Sequence, residues 1–418
     1  MRNNLFILLL SLITIFAFSC EHKETSGEPF SFLVEEVKVL NAETRQIKID
    51  NFAHSVFIEF GDGVNISNVE IQIKLAEGVS MVTPENSRAI FDFSQGKQSF
   101  TVKKGNTEIT YQFKIKYAQF DPTPKGWQKT GTWGTLPEYL SVYKYTNSIN
   151  NKNVKAYIAV TDMNNSTARF SVLGKAQYDG SKPTPSQFYT NYDYPKVVMN
   201  GGYFYGNSSV GLIVSNGKLI NPQNTAFSRT YNGVTATYYP TRGAFGLNSD
   251  NTFSAHWCYT PDNTTIYCYE IPSPNKPGQA PQPKPSATFP SKGIVWKPNE
   301  AIGAGPVLIK DGKNENTWEA EMFDEASGVG PTYNNPRSAI GCTPSGYLIF
   351  FVCEGRNKTE SIPGLTLQEV ANMLLEIGCS EAINLDGGGS SCMLINGKET
   401  IKPSDGNQRA ITSAVAVY

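Results

Sequence analysis

The stretch Asn384-Leu385-Asp386-Gly387-Gly388-Gly389-Ser390-Ser391 carries the strongest structural signal in the chain. The residues before it, Glu381-Ala382-Ile383, predict a short buried strand. Three glycines then leave the backbone without Cβ atoms, so it can adopt positive φ angles and approach a ligand closely. Exposed N–H groups in such a turn can form a concave anion site. With a carboxylate before the turn and two hydroxyls after it, the segment suits chemistry on a phosphate or a sugar. A tight turn that only requires glycine is the simpler alternative.

The residues before this turn predict a βαβ unit. Residues 347–352 form a hydrophobic strand, and residues 366–369 are a capping box that begins a helix ending at Gly378. The strand before Asp386 follows, so the two strands are expected to be parallel, with a right-handed crossover. Glu354 ends the first strand, and Asp386 would share its sheet edge, where ligands of α/β sheets bind. The predicted fold class is therefore an α+β or mixed α/β catalytic domain.

A separate small unit is predicted before this domain. Residues 30–120 contain short segments that alternate between apolar and polar residues, which favours an all-β sandwich of immunoglobulin-like type. Residues 121–126 read as a linker, and the catalytic domain is expected over residues 127–418. Within it, the proline-rich residues 271–290 lack periodicity and predict an exposed insertion loop; a flap over the substrate is the alternative.

The N-terminal residues predict export. Arg2 supplies a positive charge, and residues 5–18 form an apolar run that is too short to span a bilayer. Residues 17–20, Ala-Phe-Ser-Cys, fit a bacterial lipoprotein cleavage site, although alanine stands where leucine is usual. We therefore predict a signal peptide over residues 1–19, lipidation at Cys20 and a tether over residues 20–29. The expected location is the cell envelope, on the periplasmic side or the cell surface of the outer membrane.

Composition argues against several classes of function. The 36 basic and 37 acidic residues nearly cancel, which gives no electrostatic sign of nucleic-acid binding. Only His256 among the three histidines falls in the larger unit, which argues against a Ser-His-Asp hydrolase and a zinc hydrolase. Carboxylates thus become the expected acid/base groups. Cys258 and Cys268 flank a predicted hairpin loop, where an exported protein could form a cross-strand disulfide.

Four further segments could complete a site with the glycine turn. They are Asn200-Gly201-Gly202-Tyr203-Phe204, Gly303-Ala304-Gly305-Pro306, Pro336-Arg337-Ser338-Ala339-Ile340-Gly341 and Glu354-Gly355-Arg356. Arginine suits bidentate contacts with phosphate. Each segment alone is a weak signal, because a single arginine, Arg409 included, is more often a surface residue or an ion-pair partner.

Taken together with the glycine turn, and in this order, these segments resemble the phosphodiester glycosidase family over residues 150–418. The reaction that this resemblance implies is hydrolysis of a sugar-1-phosphodiester, such as a diester of N-acetylglucosamine 1-phosphate, to free sugar and a phosphomonoester. Glu354 departs from the aspartate that usually precedes Gly-Arg. The first unit and the proline-rich loop lie outside the resemblance, so the substrate is not carried over.

The resemblance also implies roles for particular residues. Asp386 and Glu354 are the expected catalytic pair: one protonates the leaving oxygen or activates water, and the other stabilises or attacks the anomeric carbon. No cofactor is required for this chemistry. The expected substrate-binding residues hold the phosphate or orient sugar hydroxyls: Arg337, Arg356, Asn200, Gly201, Gly202, Asn384, Gly387, Gly388, Gly389, Ser390 and Arg409. For Asn384 a strand-end cap is the alternative, and Arg409 could only support the pocket.

Two other classes of function remain open. Asp386, Asn384 and Glu354 could bind Ca²⁺ or Mg²⁺ through oxygen ligands, as in a metal-dependent phosphodiesterase or nuclease. Alternatively, the chain is a non-catalytic lipoprotein that only binds glycan. The expected partners are a glycan or sugar phosphodiester and, through the lipid anchor, a membrane.

Overall fold

A computed structural model describes residues 32–61, 64, 66, 68–93, 98–117, 120–174 and 181–418. The predicted signal peptide, Cys20 and the tether lie outside these residues. Within the described ranges, no helix has the length and apolar character needed to cross a bilayer.

The first unit consists of two β-sheets. Its strands are β1 (Val34–Val39), β2 (Thr44–Asp50), β3 (Ser55–Phe60), β4 (Val69–Leu75), β5 (Val79–Thr83), β6 (Arg88–Phe91), β7 (Ser99–Lys104) and β8 (Thr107–Tyr117). One sheet has the order β1-β4-β6 and the other β2-β3-β8-β7-β5. Alternating apolar residues of both sheets, such as Ile71 and Phe100, form one buried cluster. Strands β3 and β8 pair in parallel.

The second unit is also built mainly from strands. The strands up to the proline-rich loop are β9 (Trp127–Lys129), β10 (Leu140–Tyr145), β11 (Ser148–Ile149), β12 (Lys152–Asn153), β13 (Ala156–Asp162), β14 (Phe170–Gly174), β15 (Val197–Asn200), β16 (Phe204–Tyr205), β17 (Ser208–Ser209), β18 (Ile213–Ser215), β19 (Lys218–Asn221), β20 (Phe227–Tyr231), β21 (Val234–Tyr238), β22 (Arg242–Leu247), β23 (Phe253–Tyr259) and β24 (Tyr267–Tyr269). The later strands are β25 (Ile294–Val295), β26 (Glu300–Gly303), β27 (Val307–Lys310), β28 (Lys313–Asn314), β29 (Arg337–Cys342), β30 (Tyr347–Cys353), β31 (Glu381–Asn384), β32 (Met393–Ile395), β33 (Lys398–Glu399) and β34 (Ser413–Val417). The described residues contain two α-helices, α1 (Pro185–Asn191) and α2 (Leu367–Glu376).

Three sheets of this unit surround one apolar core. Their strand orders are β28-β27-β31-β29-β30-β13-β10-β9, β14-β34-β15-β32-β33 and β19-β18-β26-β22-β23-β24-β25. Met199, Phe245 and Phe350 come from the three different sheets and lie in the same buried cluster. The opposite face of the eight-stranded sheet is covered by α2. Cys258 and Cys268 face each other across β23 and β24, with Sγ atoms 2.8 Å apart.

The predicted mixed α/β domain with a βαβ unit is wrong. The fold is nearly all β, and β30 and β31 are not neighbours, because β29 lies between them and pairs antiparallel with both. Strand β29 directly precedes β30 and pairs with it as a hairpin across residues 343–346, and its other edge pairs with β31. This second pairing joins residues that lie far apart in the chain, so no local pattern predicts it. Helix α2 therefore packs on an antiparallel sheet instead of linking two paired parallel strands.

The helix itself forms for the reasons that the sequence indicates. The Thr366 side chain accepts the amide of Glu369, and the Glu369 side chain accepts the amide of Thr366, which confirms the capping box. Leu367, Val370 and Leu374 are buried on one face. Gly378 follows with a φ of 88°, a left-handed conformation that favours glycine.

Candidate active site

Strand ends bring the glycine turn and its partner segments together. The amide of Asp386 donates to the Gly201 carbonyl at 3.0 Å, and the amide of Gly388 donates to the Pro336 carbonyl at 3.0 Å. On the other side, the amide of Gly305 donates to the Asn384 carbonyl at 3.0 Å. Four of the segments singled out from the sequence are therefore joined by backbone hydrogen bonds around the end of β31.

The Asp386 side chain lies at a cavity of about 640 Å³ beside this junction. Its Oδ1 accepts the amide of Gly387 at 2.9 Å, and Ser390 also hydrogen-bonds the carboxylate. Burial disfavours the charged form and outweighs these hydrogen bonds and the charge of Arg409, so the pKa of Asp386 is raised to about 6. The group can therefore change its protonation near neutral pH, as an acid/base catalyst must.

The cavity is rich in arginine and aromatic side chains. Asp386 is the one carboxylate among the described residues that line it. The arginines are Arg229, Arg242, Arg337, Arg356 and Arg409, and the aromatic residues are Tyr203, Phe204, Tyr205, Phe227 and Phe323. Such a lining favours a ligand that combines negative charge with rings or apolar faces.

The glycine turn offers fewer free amides than the sequence suggests. Residues Gly388–Ser390 form a turn of 3₁₀-helix, and Gly388 has a φ of 60°. The amide of Gly387 donates a hydrogen bond to the Asp386 carboxylate, and the amide of Gly388 donates one to the Pro336 carbonyl. Among the described residues, only the Gly389 amide of these three has no hydrogen-bond acceptor. One N–H group, not three, thus remains for an anion.

Two arginines flank the turn at the rim of the cavity. The Arg356 guanidinium lies against Gly388, where a Cβ atom would stand 2.7 Å from its Nη2, and its Nε donates a 3.3 Å hydrogen bond to Asn335. Arg409 donates to the Ser390 hydroxyl at 3.3 Å and pairs with Asp405 at 2.5 Å. Both cations therefore lie beside the segment that carries Asp386.

Arg337 also lines the cavity, but its side chain is buried and hydrogen-bonded to the backbone. It is 1% exposed, and its guanidinium donates to the carbonyl oxygens of residues 329, 330, 333 and 365 at 2.6–2.9 Å. Burial lowers its pKa to about 10, so it stays charged at neutral pH. These contacts fix the wall of the cavity, and most of its N–H donors are already used.

Glu354, the predicted partner of Asp386, is not among the residues that line the cavity. It is 1% exposed, and its Oε1 accepts Lys155 Nζ at 2.5 Å and the Lys402 amide at 2.7 Å. Burial raises its pKa, but the hydrogen bond and charge of Lys155 with the Lys402 amide outweigh burial and hold the pKa below its usual range. The carboxylate therefore ties separate segments together as a buried ion pair.

Two of the remaining predicted residues, Asn200 and Asn384, connect the segments that meet at the end of β31. Asn200 is buried; its Nδ2 donates to the Asp386 carbonyl at 2.6 Å, and its Oδ1 accepts the Ser338 hydroxyl at 2.7 Å. Asn384 Nδ2 donates to the Tyr203 hydroxyl at 2.8 Å. Neither asparagine lines the cavity. Their contacts orient the backbone on both sides of Asp386.

Gly201 and Gly202 serve close backbone packing. A Cβ atom on Gly201 would lie 2.5 Å from the Ser413 hydroxyl, and one on Gly202 would collide with the Gly303 carbonyl. Ser390 is 2% exposed and joins Asp386 to Arg409. These three residues therefore shape the site from behind the cavity wall.

Sequence reasoning missed the aromatic half of the site. Tyr203 stands in a quoted segment, but Arg229, Arg242, Phe227 and Phe323 were not singled out. They come from strand β20, strand β22 and the loop before β29, far from the glycine turn in sequence, and none forms a local motif. Only the three-dimensional strand order brings them to this cavity.

Among the described residues, no metal-binding cluster is found and no histidine lines the cavity. The described residues contain no group of three or more His, Cys, Asp or Glu side chains arranged to hold a metal ion. His256 does not line the cavity; its Nε2 lies 2.8 Å from the Ser254 hydroxyl, and burial lowers its pKa to about 3.

Comparison with known proteins agrees with the motif pattern. The family described as "Phosphodiester glycosidase" matches residues 194–418. The human N-acetylglucosamine-1-phosphodiester alpha-N-acetylglucosaminidase is 31% identical over 136 residues, which is 30% of this chain and 24% of that protein. The mouse enzyme of the same name is 25% identical over 239 residues, or 53% of this chain and 37% of its own length. The matched region thus spans well under half of these curated relatives.

A solved structure was also found. The catalytic domain of the zebrafish N-acetylglucosamine-1-phosphodiester alpha-N-acetylglucosaminidase, auto-inhibited by its pro-peptide, aligns with a TM-score of 0.47 and 19% identity, covering 70% of this chain and 88% of that one. The family match alone covers more than half of the 418 residues. The chain therefore belongs to the phosphodiester glycosidase family, and this membership supports hydrolase activity on sugar phosphodiesters.

Proposed function

We propose that this chain hydrolyses a sugar-1-phosphodiester, with N-acetylglucosamine as the first sugar to test, to free sugar and a phosphomonoester. The observation that carries the proposal is Asp386: a carboxylate with a pKa raised to about 6, in the wall of a cavity that is also lined by five arginines. The names of the mammalian relatives supply the sugar.

In this proposal Asp386 acts in its ionised form. A phosphomonoester is a good leaving group, so the reaction needs little help from a general acid. Catalysis is needed instead at the anomeric carbon, where a carboxylate can activate a water molecule or attack the carbon directly. With a pKa of about 6, Asp386 is mostly ionised at neutral pH yet remains a stronger base than an ordinary aspartate.

The phosphate would bind beside Asp386 at the glycine turn. Arg356 and Arg409 flank this turn, and the free amide of Gly389 lies between their contacts with Gly388 and Ser390. Arginine and a backbone N–H give the charge-assisted hydrogen bonds that a phosphate oxygen prefers. The cleaved bond would then lie next to the carboxylate.

The direct test is release of N-acetylglucosamine from the methyl diester of N-acetylglucosamine 1-phosphate. We expect wild type to release sugar and Asp386→Asn to lower kcat by about a thousandfold, because a nearly isosteric amide removes the reacting carboxylate. Asp311→Asn, at an exposed carboxylate, is the control and should retain activity. Retained activity in Asp386→Asn would contradict the proposal.

The same assay separates the metal-dependent alternative. The proposed chemistry uses no metal, so a chelator should leave the rate unchanged. A loss of turnover on chelation that Ca²⁺ or Mg²⁺ restores would instead favour a metal-dependent phosphodiesterase. Tight binding of the diester without any product would favour the glycan-binding alternative.

A further inference from the structure

Arg242 is a buried cation without a partner in the described part of the chain. It begins β22, lines the cavity and is 9% exposed. Its side chain donates no hydrogen bond to a described residue and has no described carboxylate within 4.0 Å, and its Nε is fully buried without an acceptor. Because burial opposes the charged form, its pKa is lowered to about 10, which still leaves it charged at neutral pH.

The other arginines of the cavity are engaged. Arg229 forms two hydrogen bonds with Asp324, at 2.7 and 2.8 Å, and Arg409 pairs with Asp405. Arg337 donates to four carbonyl oxygens, and Arg356 bonds Asn335. Arg242 thus differs from its neighbours in making no hydrogen bond or ion pair with a described residue, and a buried, unpaired charge is costly to a fold unless a ligand compensates it.

Aromatic rings hold the Arg242 guanidinium in place. Its central carbon lies 3.8 Å from the ring centre of Phe323 and 5.5 Å from that of Phe227. Glu321, the buried carboxylate whose charge acts on Arg242, is occupied by the amides of Gly243 and Val307 at 2.7 Å each. The rings fix the plane of the guanidinium and leave its edge for an anion.

Arg242, Tyr203 and the glycine turn line one cavity. The Tyr203 ring packs on Phe323 at 5.4 Å, and its hydroxyl donates to the Gly305 carbonyl at 2.8 Å. Phe323 also stacks on the Arg242 guanidinium, so the ring of Phe323 lies between Tyr203 and Arg242 in the lining that they share with Asp386. Arg356 and Arg409, not Arg242, are the arginines that lie against the Asp386–Ser390 segment.

We infer that Arg242 binds a second anionic group of the substrate, a phosphate or carboxylate separate from the phosphodiester that lies at Arg356 and Arg409. The inference rests on the proposed function, because it assigns the phosphodiester to the glycine turn. A phosphodiester carries one negative charge, and two arginines and an amide already surround its proposed position. The substrate class is therefore a sugar phosphodiester whose alcohol part is itself acidic.

The first test compares two diesters of N-acetylglucosamine 1-phosphate. One carries a neutral 3-hydroxypropyl group and the other a 3-phosphooxypropyl group. We expect wild type to favour the doubly anionic diester by about tenfold in kcat/KM, the size expected of one charge-assisted contact in a partly dry site. In Arg242→Gln this ratio should fall to about one, because the contact with the second anion is lost.

Two further variants make the result specific. Arg242→Lys keeps the charge without the planar fork and should retain part of the preference. Arg169→Gln, at an exposed arginine that does not line the cavity, should keep the full ratio. A wild-type ratio of about one, or an unchanged ratio in Arg242→Gln, would overturn the inference.

A binding measurement keeps this test independent of turnover. If wild type hydrolyses neither diester, the proposed function fails, and calorimetry with propane-1,3-diol bisphosphate and its monophosphate decides the inference. We expect the bisphosphate to bind about tenfold more tightly than the monophosphate, and Arg242→Gln to abolish the difference. Equal affinities for the two probes in wild type would rule out a second anion site.

Discussion

The environment of Asp386 combines features that oppose each other. The Gly387 amide and Ser390 favour its charged form, whereas burial favours the neutral form and dominates. Asn200 fixes the carbonyl of the same residue, so the carboxylate is positioned from both sides of its own backbone. The residue is thus rigidly held and shifted toward neutral pH, as catalytic carboxylates commonly are.

The raised pKa of Asp386 predicts that the rate of hydrolysis decreases at acidic pH. If ionised Asp386 acts on the anomeric carbon, kcat/KM should fall about tenfold for each pH unit below about 6 and level off above that pH. Initial rates on the methyl diester between pH 4 and 8 would show this decrease. Activity that instead declines as pH rises through 6 would mean that Asp386 acts as the acid.

The same shift predicts an effect on stability. The pKa of Asp386 is higher in the folded state, about 6, than its ordinary value of 3.8, so the folded chain holds the proton more tightly. Its contribution to stability, about 3 kcal/mol, is complete only well below pH 3.8 and is lost as pH rises through about 6.

Asp386→Asn avoids this loss because its amide never ionises. The free energy of unfolding of the variant, relative to wild type, should increase by about 2 kcal/mol between pH 4 and pH 7, the part of this contribution that wild type loses over that interval. Urea unfolding at the two pH values measures the difference. A difference between variant and wild type that does not change with pH would show that the carboxylate is not destabilised by burial.

At the scale of the element, the glycine turn matters because Gly388 leaves room for the Arg356 guanidinium to lie against it. Gly388 and Gly312 both have left-handed φ angles, 60° and 69°, but a Cβ on Gly312 meets nothing within 4 Å, whereas one on Gly388 meets Arg356. We expect Gly388→Ala and Gly312→Ala each to lose about 1 kcal/mol of stability.

Only Gly388→Ala should then raise KM for the diester, by about tenfold, since it displaces a phosphate-binding arginine. Thermal unfolding and steady-state kinetics on both variants check this pair of outcomes. Equal KM values in the two variants would mean that the position of Arg356 does not affect substrate binding.

Elements defined by local signals were predictable, and strand neighbours were not. The capping box at Thr366 and the strand before Asp386 depend on a few consecutive residues, and both are present. The order of strands depends on residues far apart, and β29 separates two strands that sequence alone would pair. The βαβ prediction failed at that point, although the helix was correctly placed.

The site divides in the same way. Asp386, Arg337 and Arg356 were predicted from motifs and line the cavity, whereas Glu354 was predicted by the same logic and lies in a buried ion pair. A residue pattern places a carboxylate after a strand but does not show which side of the sheet end it faces. Arg242 follows Pro240 and Thr241 without any motif, so only the fold indicates its role.

At the scale of the whole molecule, the predicted lipid anchor concerns the location of the protein and can be tested apart from its chemistry. If Cys20 is lipidated, cells grown with radiolabelled palmitate should yield labelled protein in the membrane fraction. Cys20→Ala should lose the label and leave the membrane, while Cys258→Ala, at a buried cysteine, should behave as wild type. Label retained in Cys20→Ala would exclude attachment at this residue.

The position of β34 has a consequence for how the protein is made. This strand lies between β14 and β15, which are synthesised more than 200 residues earlier. Until β34 is synthesised, β14 and β15 each have an edge whose backbone N–H and C=O groups are unpaired. Strands of other chains can pair with these edges. Chains that terminate before residue 413 should therefore be insoluble, and slow translation of the segment that contains β34 should increase the need for chaperones.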